Sequence, residues 1–264
     1  MSTIVLIHGL WMTPRGWEGW VQRYTAAGHR VLAPAWPGME GEVEQLNADP
    51  SPIAGLTIDK VLDHHEKIIK GLDEPAIIMG HSFGGTFTQV LLDRGLGSAG
   101  VAIDSAQVKG VMKLPLATLR STFPVLGNPA NRNRAVPLTP DQFHYAFTNT
   151  LTAEESLRVY QRYHVPAAGH ILFEGALANF NPHAATKVHF DNPDRAPLLF
   201  ISGGQDHVIP ASINTENVRR YQKSGAITEH EIYPDRTHYT LGQDGWEEVA
   251  DRALAWALAH ARTS

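Results

Sequence analysis

The order of apolar segments along the chain constrains its fold more than any other feature of the sequence. Short apolar runs, each as long as a buried strand, alternate with longer segments that have the apolar periodicity of helices. The runs predicted as strands are Thr3–Ile7, Arg30–Ala33, Ala76–Met79, Val101–Asp104, Pro197–Ser202 and Glu229–Tyr233. Strands separated by helices pair in parallel through right-handed crossovers, which predicts a doubly wound, mainly parallel six-stranded α/β sheet.

One long segment interrupts this alternation. Between residues 105 and 196 the patterns indicate helices and no convincing strand, and capping boxes at Thr139 and Thr152 each predict the start of a helix. The segment follows a predicted strand end, and ligands of parallel sheets bind beyond the carboxyl ends of the strands. We therefore expect residues 105–196 to form an inserted helical cap over the ligand face, and residues 1–104 and 197–264 to form the core.

Residues 80–84 read G-H-S-F-G, which is a G-x-S-x-G motif. The motif lies between a predicted strand and a predicted helix, the context of a nucleophile elbow. In such an elbow the glycines let the strand and the helix approach closely, and the serine is held in a strained turn at the top of the sheet. Ser82 is therefore the candidate nucleophile, and the backbone N–H of Phe83 should point to the position of a developing oxyanion.

With this motif the chain resembles the α/β-hydrolase superfamily over nearly its whole length, in a form that lacks the first two strands of the fold. Residues 8–11, H-G-L-W, directly follow the first strand and resemble the oxyanion loop of that family, which begins with His-Gly. The resemblance implies that the backbone N–H of Leu10 is the second oxyanion donor. Two such donors are often the largest single contribution to catalysis. The side chain of His8 is expected to brace the loop.

A serine hydroxyl needs a general base, and an acid orients that base. In this family the order along the chain is Ser, then Asp or Glu, then His. Residues 203–210, G-G-Q-D-H-V-I-P, resemble the family's acid turn, which makes Asp206 the candidate acid. Asp104, at the end of the fourth predicted strand, is the alternative acid. His238 follows the last predicted strand and is the candidate base.

Aromatic side chains are candidates for the walls of a substrate pocket, although each could equally belong to the packed interior of the cap. The candidates are Trp11, Phe143, Tyr145, Phe147 and Phe180. The stretch from Ser105 to Pro140 contains basic residues and no acid. We interpret this stretch as a solvated face, with the attraction of anionic substrates as the alternative.

Composition and charge exclude several other functions. The chain has no cysteine, which excludes disulfides, thiol catalysis and thiolate metal sites and is typical of a cytoplasmic protein. Its net charge is −5, and the sequence has no basic stripe of the kind that indicates nucleic-acid binding. No apolar run is long enough to span a membrane. The histidine and glycine patterns indicate neither a metal nor a dinucleotide site, so we expect no cofactor.

A serine triad without a cofactor favours acyl transfer, with a carboxylic ester carrying an apolar acyl group as the substrate and an acyl-enzyme on Ser82. The elbow carries serine where the related dehalogenases and epoxide hydrolases carry aspartate. Residue 239 is tyrosine where the hydroxynitrile lyases of the family carry lysine. The alternatives are a receptor-like binding protein of the same fold, and a lyase or perhydrolase that uses the same triad. The patterns do not predict the oligomeric state.

Overall fold

The computed structural model describes residues 1–262. Residues 263 and 264, which belong to the predicted core segment, lie outside the described residues. The strands are β1 (Thr3–Ile7), β2 (Arg30–Leu32), β3 (Ile77–His81), β4 (Ala99–Ile103), β5 (Ala135–Val136), β6 (Ala167–Ala168), β7 (Leu198–Gly203) and β8 (Thr228–Tyr233).

Helices connect most of these strands. The α-helices are α1 (Glu18–Ala26), α2 (Val43–Ala48), α3 (Ser51–Ala54), α4 (Ile58–Lys70), α5 (Phe83–Asp93), α6 (Leu116–Leu126), α7 (Pro140–Phe147), α8 (Ala153–Tyr163), α9 (Gly169–Leu177), α10 (Ala211–Tyr221) and α11 (Trp246–His260). Short 3₁₀ helices span Pro14–Trp17, Pro129–Asn133 and Ala178–Phe180.

Six strands form one sheet in the order β2–β1–β3–β4–β7–β8, and every neighbouring pair is parallel. The predicted fold class, a doubly wound α/β sheet with an inserted helical cap, is therefore confirmed. The central strands are buried on both faces, as their continuous apolar runs require. The chain passes from β1 to β2 on one side and returns to β3 on the other. The carboxyl ends of β1 and β3 therefore flank the topological switch point, where ligands of such sheets bind.

Side chains of each central strand alternate between two apolar layers. In β1, Ile4 and Leu6 contribute to one layer, while Val5 and Ile7 contribute to the other. Helices α1 and α11 cover the first layer with large aromatic side chains, among them the buried Trp20. Helices α4, α5 and α10 cover the second. Burial on both faces fixes the sheet rigidly, so its strand ends can position a site.

The segment between β4 and β7 contains helices α6 to α9. Thr139 and Thr152 cap α7 and α8 with complete capping boxes, as their patterns predict. The prediction of no strand in this segment is wrong, because β5 and β6 pair in antiparallel fashion, with Ala135 opposite Ala168. Each has only two residues, too few to show the alternation that identifies a strand.

Two further local predictions need correction. The pattern of residues 14–27, with a proline in the first turn and Gly28 as the stop, predicts one helix, but this segment begins as a 3₁₀ turn and becomes α-helical only at Glu18. Helices α2 and α3 were not predicted, since six and four residues are too few to show a helical period. Within residues 1–262, no helix is long and apolar enough to cross a membrane.

Candidate active site

Ser82 occupies a strained turn between β3 and α5. Its φ is 56° and its ψ −119°, a conformation that non-glycine residues rarely adopt. The glycines of the motif have no room for a side chain. A Cβ on Gly84 would lie 2.0 Å from the carbonyl oxygen of Ile7, and one on Gly80 would lie 1.9 Å from that of Gly84. The motif thus forms the tight strand-to-helix turn, and the turn holds Ser82 at the switch point.

His238 and Asp206 form a buried pair. The His238 Nδ1 and Asp206 Oδ2 atoms are 2.7 Å apart, and both side chains are fully buried. Asp206 lies in the turn after β7, where its Oδ1 accepts hydrogen bonds from the backbone N–H groups of Val208 (2.7 Å) and Ile209 (2.8 Å). The turn therefore fixes the carboxylate, which in turn orients the imidazole.

The protonation states suit a general base. Burial lowers the pKa of His238 to about 3, so its ring is neutral at neutral pH. Burial raises the pKa of Asp206, while the two backbone N–H donors oppose this by stabilising the ionised form. When Nδ1–H donates to Asp206, the lone pair of His238 is on Nε2. That atom is buried and has no hydrogen-bond partner within residues 1–262, so it is free to accept a proton.

His81, the residue before the nucleophile, ties His238 to the elbow. Its Nε2–H donates to the carbonyl oxygen of His238 over 2.8 Å, and the two ring centroids are 4.7 Å apart. Burial and the neighbouring His238 lower the pKa of His81 well below its usual range. The sequence motif does not reveal this contact, because it joins residues that are distant along the chain.

The alternative acid, Asp104, does not contact the Nδ1 atom of His238 in the structure. Its Oδ1 accepts from the backbone N–H of Gly203 at 2.7 Å, and its Oδ2, 3.9 Å from His81 Nε2, has no hydrogen-bond partner among the described residues. Burial, together with the nearby Asp206, raises the pKa of Asp104 well above its usual range. The geometry therefore favours Asp206 as the partner of His238.

Asp104, His81 and His238 also form the one group in residues 1–262 whose possible metal-ligand atoms lie within 4.8 Å of one another. His81 Nε2 already donates to the backbone of His238, and His238 Nδ1 already faces Asp206. An ion at this point would replace those hydrogen bonds. The cluster therefore fits the neighbourhood of a proton-transfer site better than a metal centre.

The loop after β1 lies against the nucleophile. A Cβ on Gly9 would lie 2.6 Å from the Cβ of Ser82. His8 braces the loop, because its Nε2 accepts from the backbone N–H of Trp36 (3.2 Å) and its ring stacks on that indole. Burial lowers the pKa of His8 to about 3, so it braces the loop as a neutral ring. Within residues 1–262, the N–H groups of Leu10 and Phe83 have no hydrogen-bond partner, so both can donate to a ligand.

A cavity of about 210 Å³ opens at Ser82 and contains two of the five predicted pocket residues, Trp11 and Phe180. Most of its wall comes from residues that the sequence patterns did not single out. They include Val111, Thr118, Thr122 and Leu126 from α6 and the loop before it, Leu172 and Ala176 from α9, and Val208 and Ile209 from the acid turn. Apolar and small hydroxyl side chains of this kind also fill ordinary interiors, so residue type alone does not identify them as pocket residues.

The other three predicted pocket residues do not line this cavity. Phe143 and Phe147 stack on each other with ring centroids 4.7 Å apart, inside the packed interior of the cap. Phe147 also places its ring 4.8 Å from that of His238, edge to face. Tyr145 packs between His207 and the guanidinium of Arg120. These rings support the site from outside, since aromatic residues fill interiors as readily as they line pockets.

Comparisons with known proteins identify the family. The Alpha/beta hydrolase family model matches residues 4–252, whereas no curated protein sequence matches the chain. An extracellular alpha/beta-hydrolase from a Paenibacillus species is 17% identical, with 100% of both chains covered and a TM-score of 0.71. The methylesterase MES16 from Arabidopsis is 13% identical, with 98% of this chain and 100% of that chain covered and a TM-score of 0.68. Tomato methylketone synthase I is 14% identical, with 98% of each chain covered and a TM-score of 0.69.

At these identities the solved structures show a common fold alone. The family match is more specific, because it extends over most of the chain and includes the elbow at Ser82, the acid turn at Asp206 and the loop at His238. The resemblance predicted from the sequence is therefore confirmed. The chain belongs to the alpha/beta hydrolase family.

Proposed function

We propose that this protein is a serine hydrolase that cleaves carboxylic esters through an acyl-enzyme on Ser82. The observation that carries the proposal is a set of groups at the carboxyl ends of the strands: a strained serine at the edge of a cavity, a neutral imidazole that a carboxylate holds and that His81 ties to the elbow, and two unpaired backbone N–H groups. Nucleophile, base and oxyanion donors are the parts that acyl transfer needs. The core of residues 1–104 and 197–264 supplies them, and the cap of residues 105–196 supplies most of the cavity wall.

The proposed reaction has two halves, acylation of Ser82 and hydrolysis of the acyl-enzyme. Ser82 Oγ attacks the ester carbonyl carbon while His238 Nε2 takes the hydroxyl proton, and the N–H groups of Phe83 and Leu10 stabilise the oxyanion. The tetrahedral intermediate collapses, the ester C–O bond breaks, and His238 returns the proton to the departing alcohol. Water then loses a proton to His238 and attacks the acyl-enzyme. Collapse of this second intermediate releases the acid and restores Ser82.

The cavity supports a medium-sized apolar acyl group. Apolar side chains of the cap and of the acid turn form much of its wall, among them Val111, Leu126, Leu172, Val208 and Ile209. A dry apolar cavity of about 150 Å³ holds benzene, so about 210 Å³ scales to roughly eight non-hydrogen atoms. The structure of tomato methylketone synthase I, which shares the fold, is complexed with 2-tridecanone. That complex supports a long apolar ligand in this fold.

The test is turnover of p-nitrophenyl esters, from acetate to decanoate, by the wild-type protein and Ser82→Ala. Ser51→Ala, which alters an exposed serine on α3, is the matched control. We expect many turnovers per molecule, a rate lower by about 10⁴-fold or more in Ser82→Ala, and no change in Ser51→Ala. Circular dichroism would establish that all three proteins are folded.

Two results would contradict the proposal. Folded wild-type protein that hydrolyses no ester in the series would favour a receptor-like binding protein or a lyase with the same pocket. Equal rates for the wild-type protein and Ser82→Ala would assign the hydrolysis to another group. A single burst without further turnover indicates acylation of Ser82 without release, which is the behaviour of a binding protein that keeps the triad.

A further inference from the structure

Helix α6 exposes apolar side chains and buries hydroxyl groups. Leu116, Leu119 and Phe123 follow the spacing i, i+3, i+7, so they share one stripe of the helix. All three are exposed, Leu116 at 83% and Phe123 at 69%. Three of the four buried positions of the same helix carry hydroxyl groups, at Thr118, Ser121 and Thr122, and only the fourth, Val125, is apolar. A surface helix normally buries its apolar stripe and exposes its polar residues, whereas α6 exposes three large apolar side chains and buries one.

The apolar stripe belongs to a larger exposed face around the cavity mouth. Met112 and Leu114 precede α6, Leu177 ends α9, and Phe180 follows it with 82% of its surface exposed. Met112, Leu114 and Phe180 also line the cavity, so the two segments meet there. We call this set of seven residues the mouth face: Met112, Leu114, Leu116, Leu119, Phe123, Leu177 and Phe180. More than half of the exposed large hydrophobic side chains in residues 1–262 belong to it. Exposed apolar patches of this kind mark interaction sites.

The charge around the mouth face is positive in an acidic protein. The chain carries a net charge of −5, yet residues 105–140 contain five basic side chains and no acid, and residues 175–190 contain no acid either. Arg120 lies on the exposed stripe of α6 itself, between Leu116 and Phe123. Two acids from neighbouring elements are already engaged within the protein: Glu216 accepts from the backbone N–H of Met112 and pairs with Arg220, and Glu174 of α9 accepts from the backbone N–H of Ile58. The interpretation of residues 105–140 as an ordinary solvated face does not explain their exposed apolar residues.

We propose that the mouth face docks onto an anionic lipid surface. Apolar side chains would enter the boundary between head groups and acyl chains, and the surrounding lysine and arginine side chains would pair with lipid phosphates. The cavity would then open directly towards the lipid, so an apolar substrate could pass from the lipid phase to Ser82 without crossing water. This inference goes beyond the proposed hydrolysis, and the binding itself does not depend on it.

A second copy of the chain is the other occupant that an apolar face suggests. In a twofold dimer the same patch would meet itself, so the basic side chains around one mouth would face those around the other. Like charges at such short range oppose association. An anionic lipid surface can bind both the apolar and the basic side chains of the mouth face. We therefore favour the lipid surface as its occupant.

The test is co-sedimentation of Ser82→Ala protein with vesicles, because this variant separates binding from turnover. One set of vesicles is phosphatidylcholine with about one third phosphatidylglycerol, and the other is phosphatidylcholine alone. We expect sedimentation with the anionic vesicles, weakened when salt is raised from about 0.05 M to about 0.5 M. Leu116→Ser with Phe123→Ser should lower the partition coefficient about tenfold or more, because the apolar anchors are lost. Arg120→Glu should lower it on anionic vesicles only.

The matched controls change residues of the same types outside the mouth face. Leu157→Ser with Leu258→Ser removes two exposed leucines outside the mouth face, and Lys67→Glu reverses a charge on α4. These controls should bind as the parent does, and thermal melts should show all variants folded. Failure of the parent to sediment with anionic vesicles would overturn the proposal, as would equal binding by the mouth-face variants and their controls. A dimer in analytical ultracentrifugation that Leu116→Ser with Phe123→Ser abolishes, without vesicle binding, would assign the face to a second copy.

Discussion

His238 Nδ1 lies 2.7 Å from Oδ2 of Asp206, and the second oxygen of that carboxylate is held by two backbone N–H groups. A second buried carboxyl, Asp104, lies close by but accepts its one hydrogen bond from Gly203. Two buried carboxyl groups near one imidazole do not both ionise easily, because each charge raises the pKa of the other group. Asp206 contacts the imidazole and accepts hydrogen bonds from two backbone N–H groups, which stabilise its ionised form. Asp104 lacks these contacts, so it is the carboxyl group that favours the neutral form.

Replacing each carboxyl by its amide separates these roles. Asp206→Asn should lower kcat by about 10³–10⁴-fold, since an amide no longer fixes the tautomer of His238 or stabilises the imidazolium. Asp104→Asn should change kcat less than about tenfold, because an amide resembles a neutral carboxyl in shape and keeps an acceptor for Gly203. Steady-state ester hydrolysis measures both rates, with thermal melts as the control for folding. The opposite order of effects would make Asp104 the acid.

The backbone segments at the elbow lie so close together that adding one methyl group should strongly destabilise the folded protein. The Cβ of Gly84→Ala would lie 2.0 Å from the carbonyl oxygen of Ile7, and the backbone must move to admit it. We expect a loss of about 2–4 kcal/mol in the free energy of unfolding and loss of ester turnover. Gly55→Ala is the matched control, because a Cβ there meets nothing within 4 Å and the φ of Gly55 is −94°. It should be neutral or stabilise by up to about 1 kcal/mol. Equal melting temperatures for the two variants would refute the steric explanation.

Much of the core fold could be predicted from the sequence because its central strands are largely continuous apolar runs. Burial on both faces of the sheet requires such runs, and β1, at Thr3–Ile7, has the predicted bounds. The two-residue strand β5 and the six-residue helix α2 could not be predicted, since each is too short to repeat the period that identifies its type of element. The expected cytoplasmic location stays a prediction.

The site likewise contains residues that the sequence predicts and residues that it does not. Ser82 could be predicted because a nucleophile elbow needs its glycines within a few residues of the serine, so the signal is local. The walls of the cavity could not, because they depend on how the cap packs on the core. Phe143 and Phe147 illustrate this limit, since their aromatic character suits a pocket but their rings stack inside the cap. The contact between His81 and the backbone of His238 likewise joins residues from different strand ends.

The size of the cavity predicts a preference for acyl chain length. Leu172 lies in the cavity wall, and Leu172→Ala removes three carbon atoms from it. We expect the optimum of kcat/KM in the p-nitrophenyl ester series to move to acyl chains longer by about two or three carbons. Leu62→Ala, at a buried leucine of α4 outside the cavity, is the control. Both variants should lose about 2–5 kcal/mol of stability, but only Leu172→Ala should move the optimum. An unchanged optimum in Leu172→Ala would place the acyl group elsewhere.

Buried neutral histidines predict that the protein loses stability in acid. Burial lowers the pKa of His8 and His238 to about 3 and that of His65 and His164 to about 4. In the unfolded chain these groups have a pKa of about 6.5, so the unfolded state binds more protons as the pH falls below that value. The stabilisation is complete above about pH 6.5 and is lost as the pH falls to about 4 for His65 and His164, and to about 3 for His8 and His238. The raised pKa values of Asp104 and Asp206 act in the opposite direction, but the lowered histidines outnumber them.

His65 offers the cleanest test of this pH dependence, because it lies on α4, away from the triad. Its Nδ1 bonds the carbonyl oxygen of Val61, and its Nε2 has no hydrogen-bond partner within residues 1–262. His65→Leu removes one titrating group, so the slope of unfolding free energy against pH between about pH 6.5 and pH 4 should fall by about 1.4 kcal/mol per pH unit. Urea unfolding of wild-type and variant protein across this range measures both slopes. Equal slopes would mean that His65 is protonated in the folded protein, which its buried position opposes because no carboxylate is bonded to it.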